Sequence, residues 1–384
     1  MRVVQIGSYP LSPDRILGGV EASVYGLAQQ LSLTQEVHVF DLPRHDGDVG
    51  TEKDGRVIVH RHRNDGKRQI ATSRLVKVMA KEIAALHPDI CHVHGTNLFM
   101  WLMYRRLTQL GLKTVVTVHG LVRVEKQKLL KKKVTLKRIL QYLYQGRAEK
   151  KLLSRLPLAV VDTEYVREMV NQYPIRKKPE MRVVPQGINE DFFLMNCSAE
   201  SHTYLSVGAI GERKGQLLTL KAYEQVRRNG LESKLVIVGP VADNSYFAEL
   251  KEAIDKSEYK KDIRVWVDLP NMELRQRYCE ARVFVLHSEE ESQGIVFAEA
   301  MATGLPVVAT RVGGVPYVVK HSVTGLLADY GDVSGFAQQM EKLMEDAALW
   351  QSMSRQSKHM ASDYHWSTVT DKIFELYQVV IQEK

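Results

Sequence analysis

Short apolar runs recur along the whole chain at intervals that leave room for a helix between most of them. They fall at 2–6, 36–41, 57–61, 90–93, 114–118, 157–161 and 181–184, and then at 203–207, 234–238, 263–267, 282–286 and 306–309. A strand that is apolar throughout has to be covered on both faces, and strands alternating with helices achieve this as parallel sheets between helical layers. The pattern therefore predicts an α/β, doubly wound architecture. At 384 residues the chain exceeds what one hydrophobic core supports, so two such domains are expected, with boundaries at 1–190 and 200–363. The polar, aperiodic stretch Asn189–His202 reads as the linker between them. The last segment, from Trp366 to Gln382, puts Trp366, Val369, Ile373, Leu376, Tyr377 and Val380 on one face of a helix.

In an α/β domain of this kind ligands bind beyond the carboxyl ends of the strands, where the strand order reverses. One such junction is Val283–Leu286, a buried strand, followed by Ser288-Glu289-Glu290-Glu291-Ser292-Gln293-Gly294 and helix-forming residues that end at Gly304. Glu291 and Glu299 stand eight positions apart across it. The flexible Ser292-Gln293-Gly294 turn lets backbone approach a phosphate, and the amides of Gly294, Ile295 and Val296 at the helix start can bind anionic oxygens. Glu299 offers lone pairs to a pair of ribose hydroxyls, and Glu291 faces the opening. A nucleoside diphosphate fits this arrangement; a solvated acidic loop and an ordinary helix-surface glutamate are the simpler reading of the pair alone.

Upstream, Leu205-Ser206-Val207-Gly208-Ala209-Ile210-Gly211-Glu212-Arg213-Lys214-Gly215 reads as a strand, a glycine-rich loop and a basic pair before a helix. The Arg213 fork and the Lys214 point charge suit a diphosphate. Near the start, Gly18-Gly19-Val20-Glu21 opens a helix after the first strand, and Gly19 becomes a further candidate for anion contact. No GxGxxG follows that strand, which disfavours dinucleotide binding.

These segments together resemble the retaining glycosyltransferases of family 4, whose GT-B fold sets two Rossmann-like doubly wound domains facing across a cleft, and which build bacterial surface polysaccharides. The likeness rests on the Glu291-x7-Glu299 element with Gly294, Ala300, Met301 and Gly304, on Thr117-Val118-His119-Gly120, on Val184-Pro185-Gln186-Gly187-Ile188, and on Gly313-Gly314-Val315-Pro316 before Thr324-Gly325-Leu326-Leu327. The chain departs from the family pattern at Ala209, where an arginine is usual, and at His287, Gln186 and Tyr317.

The resemblance implies an acceptor-binding first domain, with residues 364–384 crossing back to it, and a nucleotide-sugar-binding second domain. It implies a UDP- or GDP-sugar donor and a glycan or lipid-linked saccharide acceptor of lipopolysaccharide, capsule or exopolysaccharide. It places His119 at the donor sugar and the base near Leu269. Transfer would retain anomeric configuration, with Arg213, Lys214 and the 294–296 amides replacing the metal of other glycosyltransferases, so no metal or other cofactor is expected. Glu291 would bind the sugar and steady charge at the reacting centre. A nucleotide-sugar epimerase and an inactive sugar-nucleotide-binding scaffold are the alternatives on the same fold.

A basic stretch is the second distinctive feature. Twelve Lys or Arg against two acids between Leu121 and Arg155 give a net charge of +10, in a chain of net +8. Leu129, Leu130, Leu136, Ile139, Leu140 and Leu143 recur through it at helical spacing, a basic amphipathic helix suited to an anionic membrane surface, with Lys131, Lys132 and Lys133 at its centre. A core-packed helix with a solvated cationic face is the competing reading. Nucleic acid is disfavoured because aromatic residues there are limited to Tyr142 and Tyr144.

Three cysteines, Cys91, Cys197 and Cys279, without CxxC spacing read as reduced thiols of a cytoplasmic protein. No apolar run reaches the ~20 residues of a membrane span, so association with the inner face of the plasma membrane would be peripheral. His92, His94 and His119 invite a metal-site reading, but no third ligand has convincing spacing. Asp46-Gly47-Asp48 imitates a metal-binding DxD within a polar turn.

Overall fold

The computed structural model describes every residue except 14, 15, 17, 43–48, 64–68, 125, 128–133 and 383–384, and the side chains of 69–71 and 137. The described chain forms two compact units, one of Met1–Gly187 with Trp366–Lys384 and one of Ile188–His365.

The first unit contains β1 (Arg2–Gly7), α1 (Gly19–Leu31), β2 (Glu36–Asp41), β3 (Gly50–Asp54), β4 (Val57–Arg61), α2 (Gln69–Ala85), β5 (Ile90–His94), α3 (Leu98–Gln109), β6 (Thr114–Val118), α4 (Leu136–Leu153), β7 (Leu158–Val161), α5 (Glu164–Asn171) and β8 (Glu180–Val183). Its sheet runs β3-β4-β2-β1-β5-β6-β7-β8, so the order reverses between β1 and β5. Every pairing is parallel except β3 with β4. That antiparallel edge strand corrects the expectation of wholly parallel sheets. Its polar sequence Gly-Thr-Glu-Lys-Asp lacks an apolar run because an edge strand beside solvent does not need one. Gly55-Arg56, with Gly55 at φ +60°, makes the two-residue hairpin turn between the paired Asp54 and Val57.

The second unit contains β9 (Thr203–Val207), α6 (Gln216–Arg228), β10 (Lys234–Val238), α7 (Asn244–Lys256), β11 (Ile263–Trp266), α8 (Asn271–Glu280), β12 (Val283–Leu286), α9 (Ile295–Ala302), β13 (Val307–Thr310), α10 (Val315–Val318), β14 (Gly325–Ala328), α11 (Val333–Glu345) and α12 (Ala347–Ala361). Six parallel strands run β11-β10-β9-β12-β13-β14, and the order reverses between β9 and β12. Alternation along each strand divides the core into two layers: Val283 and Val285 join one buried cluster, Phe284 and Leu286 the other. The stretch read as a linker is packed rather than loose. Residues Glu190–Leu194 form a 3-10 turn whose Phe192 is buried in the second unit's core.

The last helix, α13 (Trp366–Gln382), belongs to the first unit and completes its core. Trp366, Val369, Ile373, Leu376 and Tyr377 pack with Val24, Leu27 and Leu31 of α1 over one face of the sheet. Burying each such aliphatic side chain contributes about 1.5–3 kcal/mol of transfer free energy.

Candidate functional site

The reversal between β9 and β12 opens a site at the carboxyl ends of those strands, as sheet topology requires. After β9 the chain passes through Gly208–Gly211 into a 3-10 turn, Glu212–Lys214, before α6. After β12 it passes through residues 287–294 into α9. The two loops are joined: Glu289 N–H donates to the Arg213 carbonyl at 2.8 Å, and the buried Lys214 ammonium donates to Oε1 of the buried Glu291. The Lys214 stem lies along Gly208, 3.3 Å from where a Cβ would stand. Arg213 lies at the rim, more than half exposed, with Nη1 3.7 Å from Glu291 Oε2 and donating to the Glu290 carbonyl at 3.3 Å. The two phosphate candidates and Glu291 thus form one charged cluster. Sequence reasoning had given Lys214 and Glu291 separate tasks.

A third loop holds Glu291 in place. Gly314 N–H donates to the Glu291 carbonyl at 2.7 Å, and a Cβ on Gly314 would stand 1.8 Å from the Ser292 carbonyl oxygen. The Gly313-Gly314 pair is therefore required for close backbone approach. At the start of α9, Gly294 has φ +77°, and the first amides of the helix, among them those of Ile295 and Val296, have no intrahelical acceptor. Leu269, Ile295 and Val296 pack against the same apolar cluster. Asp268, beside Leu269, adopts a left-handed φ of +54°.

Glu299 lies one turn inside α9. The hydroxyl of fully buried Tyr278 donates to its Oε2 at 2.8 Å. Desolvation pushes the Glu299 carboxyl up to about 7, opposed by that hydrogen bond and by the charge of Lys214. Burial likewise holds the Tyr278 phenol well above its ordinary value, reinforced by Glu299. His287, one of the departures from the family pattern, is a core residue: fully buried, stacked 4.6 Å from Phe336, and accepting from Gly331 N–H at 3.0 Å. Desolvation lowers it to about 4.

The first unit builds a different site at the ends of β5, β6 and β7. His119 Nδ1 is 2.8 Å from Asp162 Oδ2, and Gln186 Nε2 donates to the same oxygen at 2.6 Å. His119 Nε2 is 3.2 Å from His94 Nδ1. One proton assignment satisfies these contacts: Nδ1–H of His119 donates to Asp162, and Nδ1–H of His94 donates to Nε2 of His119. Behind them His92 contacts the Tyr377 hydroxyl and Thr117 Oγ1, both at 2.6 Å. Desolvation drives His92 down to about 3 and His94 well below its usual range, the neighbouring histidines adding to it.

The three histidines do meet, but His92 is engaged by Thr117 and Tyr377, and His119 by Asp162 and by Nδ1 of His94. Among the described residues no group of three or more His, Cys, Asp or Glu could hold a metal ion. Gly19, at the first position of α1, lies in this corner, 3.5 Å from Gln186 Oε1 as measured from a Cβ. Asp162 and Tyr278 carry no local sequence signal, His94 is marked only by its alternation with His92, and Gln186 stands out only as a departure from the family.

The basic segment yields α4, capped by Thr135. Its inner face is Ala148, Leu152 and Leu153, with fully buried Glu149 accepting from Thr96 Oγ1 at 2.6 Å and from the amides of Val122 at 2.8 Å and Arg123 at 3.1 Å. Leu136, Ile139, Leu140 and Leu143 share a face, as their spacing implies, but that face is exposed, Leu136 to 73%. Lys131, Lys132 and Lys133 lie outside the described residues, as do Asp46 and Asp48. Among the described residues no helix is long and apolar enough to cross a membrane.

Comparison with known proteins fits this geometry. Residues 17–192 match the profile described as Glycosyltransferase Family 4, and residues 189–360 that of Glycosyl transferases group 1. A D-inositol 3-phosphate glycosyltransferase of Segniliparus rotundus is 25% identical over 73% of this chain, and the match spans 64% of that protein's own length. The fold is shared with sucrose-phosphate synthase of Thermosynechococcus elongatus at a TM-score of 0.80 and 19% identity, over 99% of both chains. Anabaena Alr3699/HepE, solved in complex with UDP-glucose, superimposes at a TM-score of 0.74 and 16% identity, over 99% of this chain and 100% of that one. With its two parallel-sheet units and both profiles matched in order, the chain belongs to the group 1, family 4 type of GT-B glycosyltransferases.

Proposed function

We propose that the chain transfers a hexosyl group, with retention and without a metal, from a UDP- or GDP-sugar to a hydroxyl of a glycan or lipid-linked saccharide in bacterial surface-polysaccharide synthesis. The observation that supports this reading is the Lys214–Glu291–Arg213 cluster beside the start of α9, whose first amides have no intrahelical acceptor. Cations and amides fixed before reaction stabilise a leaving diphosphate most effectively, because nothing has to reorganise as charge develops. Glu299 binds the ribose, and the loop at Leu269 contacts the base. Glu291 holds Lys214 in register and steadies the sugar, and the family resemblance gives His119 a role at that sugar. The bond from the anomeric carbon to the diphosphate oxygen breaks as the acceptor oxygen bonds on the same face. The acceptor proton passes to the departing diphosphate.

Attachment to an anionic membrane surface belongs to the same proposal. It is supported by the +10 charge of residues 121–155 and by the outward leucines of α4.

The test is product analysis with UDP-, GDP- and ADP-sugars in excess EDTA. The acceptors are lipid-linked saccharides and, because a relative is named for one, a phosphorylated inositol. Acceptor-dependent transfer with unchanged anomeric configuration is expected. Release of an altered sugar without acceptor would indicate an epimerase, and donor binding without turnover a scaffold. Loss in EDTA that Mg²⁺ restores would overturn metal independence and direct attention to Asp46 and Asp48.

A further inference from the structure

On the first unit α3 and α4 leave a groove of about 510 Å³, within the range of small-ligand sites. Trp101, Tyr104 and Thr108 line it with three cations, Arg105, Lys151 and Arg155, and no carboxylate. Among the described residues no ion pair joins any of these three cations to an acid. Like charges gathered around one concavity repel each other, so the arrangement disfavours the empty groove and favours an anion within it.

The groove is also partly preorganised. Its aromatic floor is buried, Trp101 and Tyr104 being 5% and 6% exposed. The Arg155 guanidinium lies 5.0 Å over the Trp101 ring and donates to the Lys151 carbonyl at 3.3 Å. The Tyr104 hydroxyl donates to the Arg155 carbonyl, also at 3.3 Å. Stacking fixes the plane of that guanidinium and leaves further N–H groups for a ligand.

We propose that this groove binds a phosphoryl group, as a phosphate monoester or diester. Two guanidinium forks and an ammonium match a tetrahedral, multiply charged oxyanion better than a planar monoanion. The group has two possible sources. Arg147, Lys150 and Lys151 continue, at helical spacing, the same exposed face of α4 that carries Leu136, Ile139, Leu140 and Leu143. A lipid headgroup is therefore one source, and a soluble phosphate ester the other. Neither depends on the catalytic reading of the second unit.

The test uses the full chain at low salt. One arm titrates it calorimetrically with inorganic phosphate and with glycerol 1-phosphate; the other sediments it with phosphatidylglycerol or phosphatidylcholine vesicles. The groove variant is Arg105→Glu/Lys151→Glu. The control, Arg176→Glu/Lys177→Glu, makes the same charge change at exposed residues elsewhere on the first unit. Arg155→Lys keeps charge but loses the stacked fork. The groove variant should weaken binding about tenfold or more, roughly 1.4 kcal/mol, with an unchanged melting curve. Arg155→Lys should lose a smaller factor, and the control should match wild type. Binding in the soluble arm supports a phosphate ester, and binding only to phosphatidylglycerol vesicles a lipid headgroup. Wild type binding in neither arm overturns the proposal, as does a control that loses as much as the groove variant.

Discussion

Both units set polar side chains at the carboxyl ends of parallel strands, yet they make opposite kinds of site. In the second unit Lys214, Arg213 and Glu291 keep charge next to a helix start whose amides lack intrahelical partners. In the first, His119, His94, Asp162 and Gln186 satisfy one another, and both His119 nitrogens are engaged. Under the proposed function, the cations and helix-start amides of the second unit's arrangement receive an anion. A closed, buried one holds its own geometry, because each internal hydrogen bond is stronger away from water and each lost partner is costly.

Removing Lys214 should break the comparison most severely. Lys214→Ala takes the ammonium from the diphosphate and leaves Glu291, only 4% exposed, with the half-exposed Arg213 at 3.7 Å as its remaining counter-charge. Turnover should fall on the order of 10²–10³-fold, and stability by about 3–5 kcal/mol. Because burial of an under-compensated charge causes the second loss, Lys214→Met combined with Glu291→Leu should recover the melting temperature but not turnover. A single variant with normal kcat would mean that the pair has no part in transfer.

Asp162→Ala probes the closed site. It strands the His119 Nδ1–H and the Gln186 amide in a buried corner. A loss of about 1–3 kcal/mol for each unsatisfied group is expected, visible in denaturant unfolding, and because Asp162 holds His119 a fall in turnover smaller than that of Lys214→Ala accompanies it. A fall in turnover as large as in Lys214→Ala would erase the distinction between the two sites.

Glu299 sharpens the comparison through pH. Its carboxyl is raised from 4.5 to about 7 in the folded protein, so the native state binds this proton more tightly than the unfolded chain. That contribution is full below pH ~4.5 and is lost as pH rises through about 7. Glu299→Gln keeps an acceptor for Tyr278 and cannot ionise. Relative to wild type it should gain stability between those values and level off above, by on the order of 1–3 kcal/mol. A melting-temperature difference that does not change with pH would show that Glu299 is not held in a desolvating site. Donor affinity of wild type should rise over the same interval, because the carboxylate accepts from ribose hydroxyls better than the acid does.

Much of this was readable in advance because it is local. Apolar runs at 203–207 and 234–238 became β9 and β10 without a change of boundary. The donor-site candidates occupy two contiguous stretches, Gly208–Gly215 and Glu291–Glu299, each a strand end, a glycine turn and a helix start. The β3 strand is not legible as an apolar run, although Gly55 marks its turn, because an exposed edge carries none. The linker was misplaced because polar composition at 189–202 hid a single buried anchor, Phe192.

By itself, then, the sequence determined the alternation of strands and helices, the two-unit organisation and the glycine-bearing loops that follow β9 and β12 in the second unit. These follow from side-chain periodicity and from glycines whose neighbours are within a few residues. Tertiary structure alone decided that Lys214 pairs with Glu291, 77 positions away, that Asp162 holds both His119 and Gln186, and that the leucines of α4 face outward. Each of those depends on strand order and on which helix face the core covers. Such contacts join residues distant in the chain, and no local spacing encodes them.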